Sequence, residues 1–269
     1  MFTCNIDLHI HTKFSFDCLD KVEAKLETAQ KAGLDIIAIV DHNTIDGALR
    51  AEEMILSSLQ RPRVIIGEEI STDRGEIIGL FLTRSVKSGN LFTVIDEIKQ
   101  QGGIVYLPHP FKRSTIWKER SIINSLDLVE VFNARSTYEQ NYKAFIFALQ
   151  RGVLPACGSD AHSLGEIGRA KMVLTSSFKL DNCLNVQSFM NLLKMAERTE
   201  MIGTNKNHVF WEVKSQLLKM FKKRTITALN HIIRHISQSF VVKEKLNSLR
   251  IVKNKNSYEL FDMKSYKDE

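Results

Sequence analysis

From the N-terminus to about residue 175, short runs rich in Ile, Val and Leu alternate with longer segments whose apolar positions recur every three or four residues. Such alternation marks βα units built around a parallel sheet. The runs predict strands at Asn5–His9, Asp35–Val40, Val64–Glu68, Ile77–Leu82, Ile104–Leu107, Leu128–Phe132 and Val153–Cys157, a barrel-like series. Helical spacing covers Lys21–Ala32, Asp46–Leu59, Phe92–Gln101 and Tyr138–Arg151, and a further helix around Val186–Arg198 closes this body. Gly33, Gly102 and Gly152 stand where three of these helices need a left-handed residue to stop.

Composition changes little: 43% hydrophobic and 25% charged residues describe an ordinary globular chain. Charge changes more. Residues 204–269 hold 14 Lys+Arg against 6 Asp+Glu, a net of +8, so residues 1–203 carry a net of −2. The chain is therefore divided into a body, 1–203, and a basic tail, 204–269. In the tail, Leu218, Phe221, Leu229, Ile232, Ile233, Ile236 and Phe240 fall on one side of a predicted helix over Trp211–Phe240, with Lys219, Lys222, Lys223 and Arg224 largely away from it. Such a helix can pack on the barrel or on a second subunit to form a homo-oligomer, lie on an anionic membrane surface, or contact nucleic acid. Packing ranks first because soluble helices commonly carry such a stripe. His231 and His235 read as helix-surface histidines, since no Glu follows His231 as a metal-hydrolase helix requires. Residues 254–269 read as a polar, mobile end.

The start, Met1–Asp7, lacks a basic stretch and runs straight into a strand, and the longest apolar runs, such as Ile36–Val40, are too short to span a bilayer. A cytoplasmic protein is expected. Cys4, Cys18, Cys157 and Cys183 form no CxxC pair and are expected to be core thiols.

The chemistry lies in the histidines. All five in the body, His9, His11, His42, His109 and His162, fall at or just past a predicted strand end, beside a carboxylate or a turn. In a parallel α/β barrel those ends open on one face. His9 and His11 are two apart on a strand, so both point the same way and can hold one metal. Asp160 and His162 repeat that spacing. With Asp17, Glu69 and Asn133 at other loop mouths, the donors form a thiolate-free N/O set suited to Zn, Mn or Fe. Clustered cations of this kind can acidify a water and neutralise phosphoryl oxygens, giving a metal-activated hydroxide that attacks phosphorus in line. Arg135 and Arg169 are placed to bind a phosphate or to form surface ion pairs. His162, with Asp160 and His42, is the candidate for direct catalysis, His162 or a bound water protonating the leaving alkoxide.

Several positions keep two readings. Asp17 competes with Asp20, and either can start the next helix. Glu68 and Glu69 compete for one inward place, which alternation gives to Glu69. Asn133 reads as a turn residue or as a metal or substrate contact. Asp7 and Asp41 are assigned to orienting metal-bound imidazoles.

The ordered series Asp7-Leu8-His9-Ile10-His11-Thr12, Ser15 to Asp17, Asp41-His42, Gly67-Glu68-Glu69, His109-Pro110, Glu130 to Asn133 and Gly158-Ser159-Asp160-Ala161-His162 resembles the PHP family, named for its polymerase and histidinol phosphatase members. The resemblance covers roughly residues 4–175. It implies an α/β fold, a distorted seven-stranded TIM-like barrel, here with a basic helical C-terminal extension. It also implies two or three divalent metal ions held by His9, His11, Asp17, His42, Glu69, His109, Asp160 and His162. The chain departs from the family in offering Glu130 and Asn133 where several members place a histidine. It also has only twenty residues between His109 and Glu130, where the nucleoside-phosphate hydrolases carry a helical cap. The segment from Gly158 to Arg169 looks like the small phosphoesterase branch. The expected activity is hydrolysis of a phosphomonoester on a small metabolite or nucleotide. A phosphodiesterase or exonuclease working on nucleic-acid ends held by the tail, and a non-catalytic scaffold, are the alternatives.

Overall fold

The computed structural model describes residues 1–58, 62–177, 184–204, 248–254 and 257–262. The predicted tail helix with its two histidines, and Cys183, lie outside the described residues.

Three strands, β1 (Phe2–Ile10), β2 (Ile36–Ile39) and β3 (Arg63–Thr72), run parallel. Then the direction reverses. Only Asp73 and Arg74 separate β3 from β4 (Gly75–Leu80), and so short a link makes a hairpin, since a parallel crossover needs a dozen residues or more. Next, β5 (Ile104–Leu107) is antiparallel to β4, and β6 (Leu128–Asn133) and β7 (Leu154–Gly158) follow in parallel. On the other side of β1 lie β8 (Ala170–Ser176), β9 (Arg198–Thr204), β10 (Ser248–Asn254) and β11 (Ser257–Asp262), each antiparallel to its neighbour.

The eleven strands form one curled, half-barrel sheet in the order β11-β10-β9-β8-β1-β2-β3-β4-β5-β6-β7. Its curl brings the end of β7 back to β1. There the His11 amide donates to the Ala161 carbonyl (3.1 Å) and the Ala161 amide to the His9 carbonyl (3.2 Å).

All seven predicted strands are present, and two expectations are corrected. The sheet is mixed, because β4 is a hairpin partner, and it contains four strands beyond the seven. The predicted last helix stops at Met195 in α5 (Val186–Met195), and Arg198–Thr204 is β9 instead. Beyond residue 203 the tail adds β10, which pairs with β9 from Ser248 opposite Thr204 to Asn254 opposite Arg198. The end predicted to be polar and mobile contains β11.

Helices α1 (Val22–Lys31), α2 (Asp46–Ser58), α3 (Leu91–Gln100) and α4 (Tyr138–Arg151) connect the strands. Buried on both faces, β2 sends Ile36 and Ala38 into the main core, while Ile37 and Ile39 pack with Val22, Leu26 and Ala29 of α1 and Ala48 and Ala51 of α2. Each of the Ile, Val and Leu side chains here contributes about 1.5–3 kcal/mol on burial, and each alanine less. A capping box of Thr137 and Gln140 starts α4, and Gly152 at φ 65° stops it, as Gly33 and Gly102 stop α1 and α3. Cys4, Cys18 and Cys157 are buried, as expected. Among the described residues no helix is long and apolar enough to cross a membrane.

Candidate metal centre

The parallel strands end together, and their last residues or following loops supply His9 and His11 (β1), His42 (β2), Glu69 (β3), His109 (β5), Asn133 (β6) and Asp160 and His162 (β7). Because β4 runs the other way, its beginning lies at this same end. It brings in Glu76, which sequence reasoning missed by assuming a parallel strand.

His9, His11, Asp17, Glu69, His109, Asp160 and His162 are all buried, and so is the side chain of His42. Glu69 is central. Its Oε2 lies 3.5 Å from His9 Nε2, 3.4 Å from His11 Nε2 and 3.2 Å from His42 Nδ1, while its Oε1 lies 3.0 Å from His109 Nε2. Glu68 points elsewhere, accepting from Ser85 Oγ and the Val86 amide, both at 2.8 Å. Asp160 Oδ1 lies 3.7, 3.5 and 3.2 Å from His9 Nε2, His11 Nε2 and His162 Nδ1. Asp17 Oδ2 approaches His162 Nε2 at 3.0 Å and His42 Nε2 at 3.6 Å. Asp20 is instead paired with Lys25 at 3.5 Å. Glu76 reaches His42 and His109, each at 3.8 Å.

Hydrogen bonds behind the rings fix their tautomers. Glu130 Oε1 lies 3.0 Å from His9 Nδ1, and as an acceptor it keeps the proton there, leaving the Nε2 lone pair facing the cluster. The Ser15 hydroxyl donates to Asp41 Oδ1 (2.7 Å), so towards His11 Nδ1 (3.1 Å) it can only accept. Consequently two Nε2 lone pairs face each other at 3.1 Å, an arrangement that needs a cation or a shared proton between them. Burial opposes a charged His9 ring, but Glu130, Glu69 and Asp160 hold its pKa well above the usual range. For His11, burial and then the His162 and His42 charges push it well below. The proton on His9 thus occupies a place suited to a metal.

The donor spacing fits metals. Ligand atoms bonded at about 2.0–2.2 Å to one four- or six-coordinate ion lie roughly 2.9–3.6 Å apart, close to the separations above. Among the described residues, four groups of donors have atoms that all lie within 4.8 Å of one another: His9, His11 and Asp160; His9, Glu69 and His109; His11, His42 and His162; and His42, Glu69 and Glu76. His109 Nδ1 is buried and has no hydrogen-bond partner among the described residues. His109 and Asp160 have positive φ, 25° and 54°, a strain that tends to collect at functional sites.

Of the two supporting carboxylates expected, Asp41 reaches a ring and Asp7 does not. Asp7 accepts from Ser159 N (2.9 Å), Ser159 Oγ (2.6 Å) and Gly168 N (3.0 Å), bracing the β7 loop and no ring; burial raises its pKa to about 6 against these bonds. Asp41 acts on His11 through Ser15. It is Glu130 that orients His9, while also accepting from Tyr106 Oη, the His109 amide and Asn133 Nδ2. Asn133 donates onward to Asp160 Oδ2 at 3.3 Å, a positioning contact. Arg135 is buried, its Nη1 2.6 Å from His162 Nδ1 and its Nε 3.4 Å from Glu166. Arg169, half-buried, donates from Nε to the Gly165 carbonyl (2.7 Å) with Glu166 close by. Lys112, also missed, sets Nζ 3.7 Å from Asp160 Oδ2; a lysine three residues past His109 is the only sequence signal for it.

A buried cluster of imidazoles and carboxylates at one end of a curled α/β sheet is a set of donors that could hold metal ions of the kind that serve hydrolysis. The PHP domain matches residues 7–258, and the chain belongs to that family. An uncharacterised protein of Methanocaldococcus jannaschii is 30% identical over 256 residues, covering 90% of this chain and 99% of that one. The fold is similar to that of a two-domain Bacteroides vulgatus protein described as containing a predicted PHP-like metal-dependent phosphoesterase (TM-score 0.61, 18% identity); the match covers 74% of this chain and 64% of that one. It is also similar to an amidohydrolase from Chromobacterium violaceum with bound sulfate and no metal (TM-score 0.54, 15% identity, 70% of this chain and 96% of that one). The family match runs past residue 175, through β9 and β10 into β11.

Proposed function

We propose that this chain is a phosphomonoesterase that uses Mn, Zn or Fe to hydrolyse a phosphorylated metabolite or nucleotide. The position of Glu69 carries the reading: one oxygen faces His9, His11 and His42 and the other faces His109, so a single carboxylate spans two donor sets. His9, His11, Asp17, His42, Glu69, His109, Asp160 and His162 would hold the metals, which when bound supply Lewis-acid polarisation of a phosphoryl oxygen and a water of lowered pKa.

The chain's own residues supply the rest. Lys112 and Arg135 set two positive charges beside Asp160, at 3.7 and 3.9 Å. Of the two, Lys112 is the more open to solvent, so it meets the incoming phosphate first. A monoester carries up to two negative charges near neutral pH and a diester one, so Lys112 and Arg135 beside bound metals favour the monoester. When it is not itself holding a metal, His162, between Arg135 and Asp17, can pass a proton to the leaving alkoxide; as a ligand it leaves that role to water.

The test is hydrolysis of an aryl phosphate, a bis-aryl phosphate and an aryl amide with added Mn. We expect the monoester to be cleaved fastest, with activity lost in the His9→Ala/His11→Ala double variant. Equal activity in that variant, or faster cleavage of the amide, would overturn the assignment.

A further inference from the structure

Beside the metal centre runs a groove of about 590 Å³ between α4 and the segment that follows His109. The turn at His109 joins the two: the Lys112 amide donates to the His109 carbonyl at 3.0 Å. From this turn His109 and Lys112 point into the centre, while Phe111 points into the groove, 5.0 Å from Trp117 and 6.2 Å from Phe147 between ring centroids. On the other wall, α4 begins just after Arg135 and presents Tyr142, 41% exposed. Lys118, Arg120, Lys143 and Arg151 line the groove, and among its described lining residues there is no carboxylate. Lys118 lies 5.3 Å over Trp117 and Arg151 6.0 Å over Phe147, while Lys143 is held by Glu139 one turn back on α4.

We propose that this groove binds a short segment of single-stranded nucleic acid. Rings interleaved with cations fit a chain that alternates flat bases with phosphates, and stacking on them is indifferent to sequence. Length separates a strand from a single nucleotide. From Tyr142 to Arg151 the helix rises about 14 Å, room for roughly three or four bases stacked at about 3.4 Å. A duplex hides its bases and offers no face to Tyr142 or Trp117. The proposal rests on the phosphoesterase reading only for direction: a strand in the groove would lead its phosphate end towards the His109 turn.

The test is fluorescence anisotropy of a labelled single strand of about eight nucleotides with the full chain, in chelator, so that no turnover is needed and a failure of the hydrolase reading leaves the result untouched. Duplex of the same length and a mononucleotide serve as competitors. Binding should weaken with salt by a log–log slope of roughly −0.7 per phosphate contacted. Tyr142→Ala should weaken it on the order of tenfold. Arg120→Ser/Lys143→Ser should flatten the slope by roughly 1.4; these side chains are exposed, so this variant keeps the test alive if Tyr142→Ala fails to fold. Equal affinity in the variants, a duplex or mononucleotide competing as well as the strand, or no binding at low salt would overturn the proposal.

Discussion

Metal-free protein should lose stability as pH rises from 6.5 to 9, and His42 sets the size of the effect. Burial disfavours its charged ring, but Glu69 and then Asp17 outweigh that and raise its pKa to about 9. A folded pKa raised above the unfolded value of about 6.5 gives stability that is complete below 6.5 and is lost as pH climbs through 9. For this one buried ring the difference is on the order of 3 kcal/mol. His9, His109 and His162 are shifted the same way and add to the loss. Asp17, Glu69 and Asp160 are depressed, so they titrate far below this window, and Asp7, near 6, is mostly ionised when the window opens and adds only slightly to the loss. Urea unfolding of chelator-treated protein at pH 6.5, 7.5 and 9 measures the slope, and Glu69→Gln, which removes the first charge holding the His42 proton, should flatten it. Metal affinity should move oppositely, strengthening by about tenfold per pH unit for each proton displaced. Equal stability of the metal-free wild type at pH 6.5 and 9, or an undiminished slope in Glu69→Gln, would refute the reasoning.

Three further outcomes follow from the packing behind the site. Gly158→Ala would press a methyl group against His9 Cβ and to 2.8 Å from Glu130 Oε1, so urea unfolding should show a loss of about 1–3 kcal/mol. Glu130→Gln replaces an oxygen that accepts from two donors on each side with an NH2 that clashes with one pair; metal titration should show affinity lower by roughly 10–100-fold. Lys112→Met should reduce kcat/KM for a phosphomonoester by about a hundredfold or more while leaving metal content unchanged, measured by steady-state kinetics alongside elemental analysis.

Much of the site was legible because its chemistry is local. A strand period of two sets His9 with His11, and strand ends carry His42, His109 and Asp160, whatever the details of the sheet. What escaped depends on contacts made far apart in sequence. Glu76 reaches the cluster because β4 reverses, a consequence of the short Asp73-Arg74 turn. The spacing of apolar positions at Ile77–Leu82 shows a strand but not its direction. Asp7 and Asp41 stand beside histidines in sequence, yet Asp7 braces a loop and Asp41 acts through Ser15, while Glu130 orients His9 from 121 residues away. The strands β8 and β9 pass as polar or helical stretches because only alternate side chains face the core, as in Ala170, Met172 and Leu174.

Glu69 serving two donor sets underlies every role proposed for this centre. Elemental analysis of the full chain, loaded with Mn and freed of loose ions by desalting, tests this most directly, with Glu69→Gln beside the wild type. The wild type should retain more than one metal ion per chain and Glu69→Gln clearly fewer. Less than one ion in the wild type, or equal content in both proteins, would contradict the account.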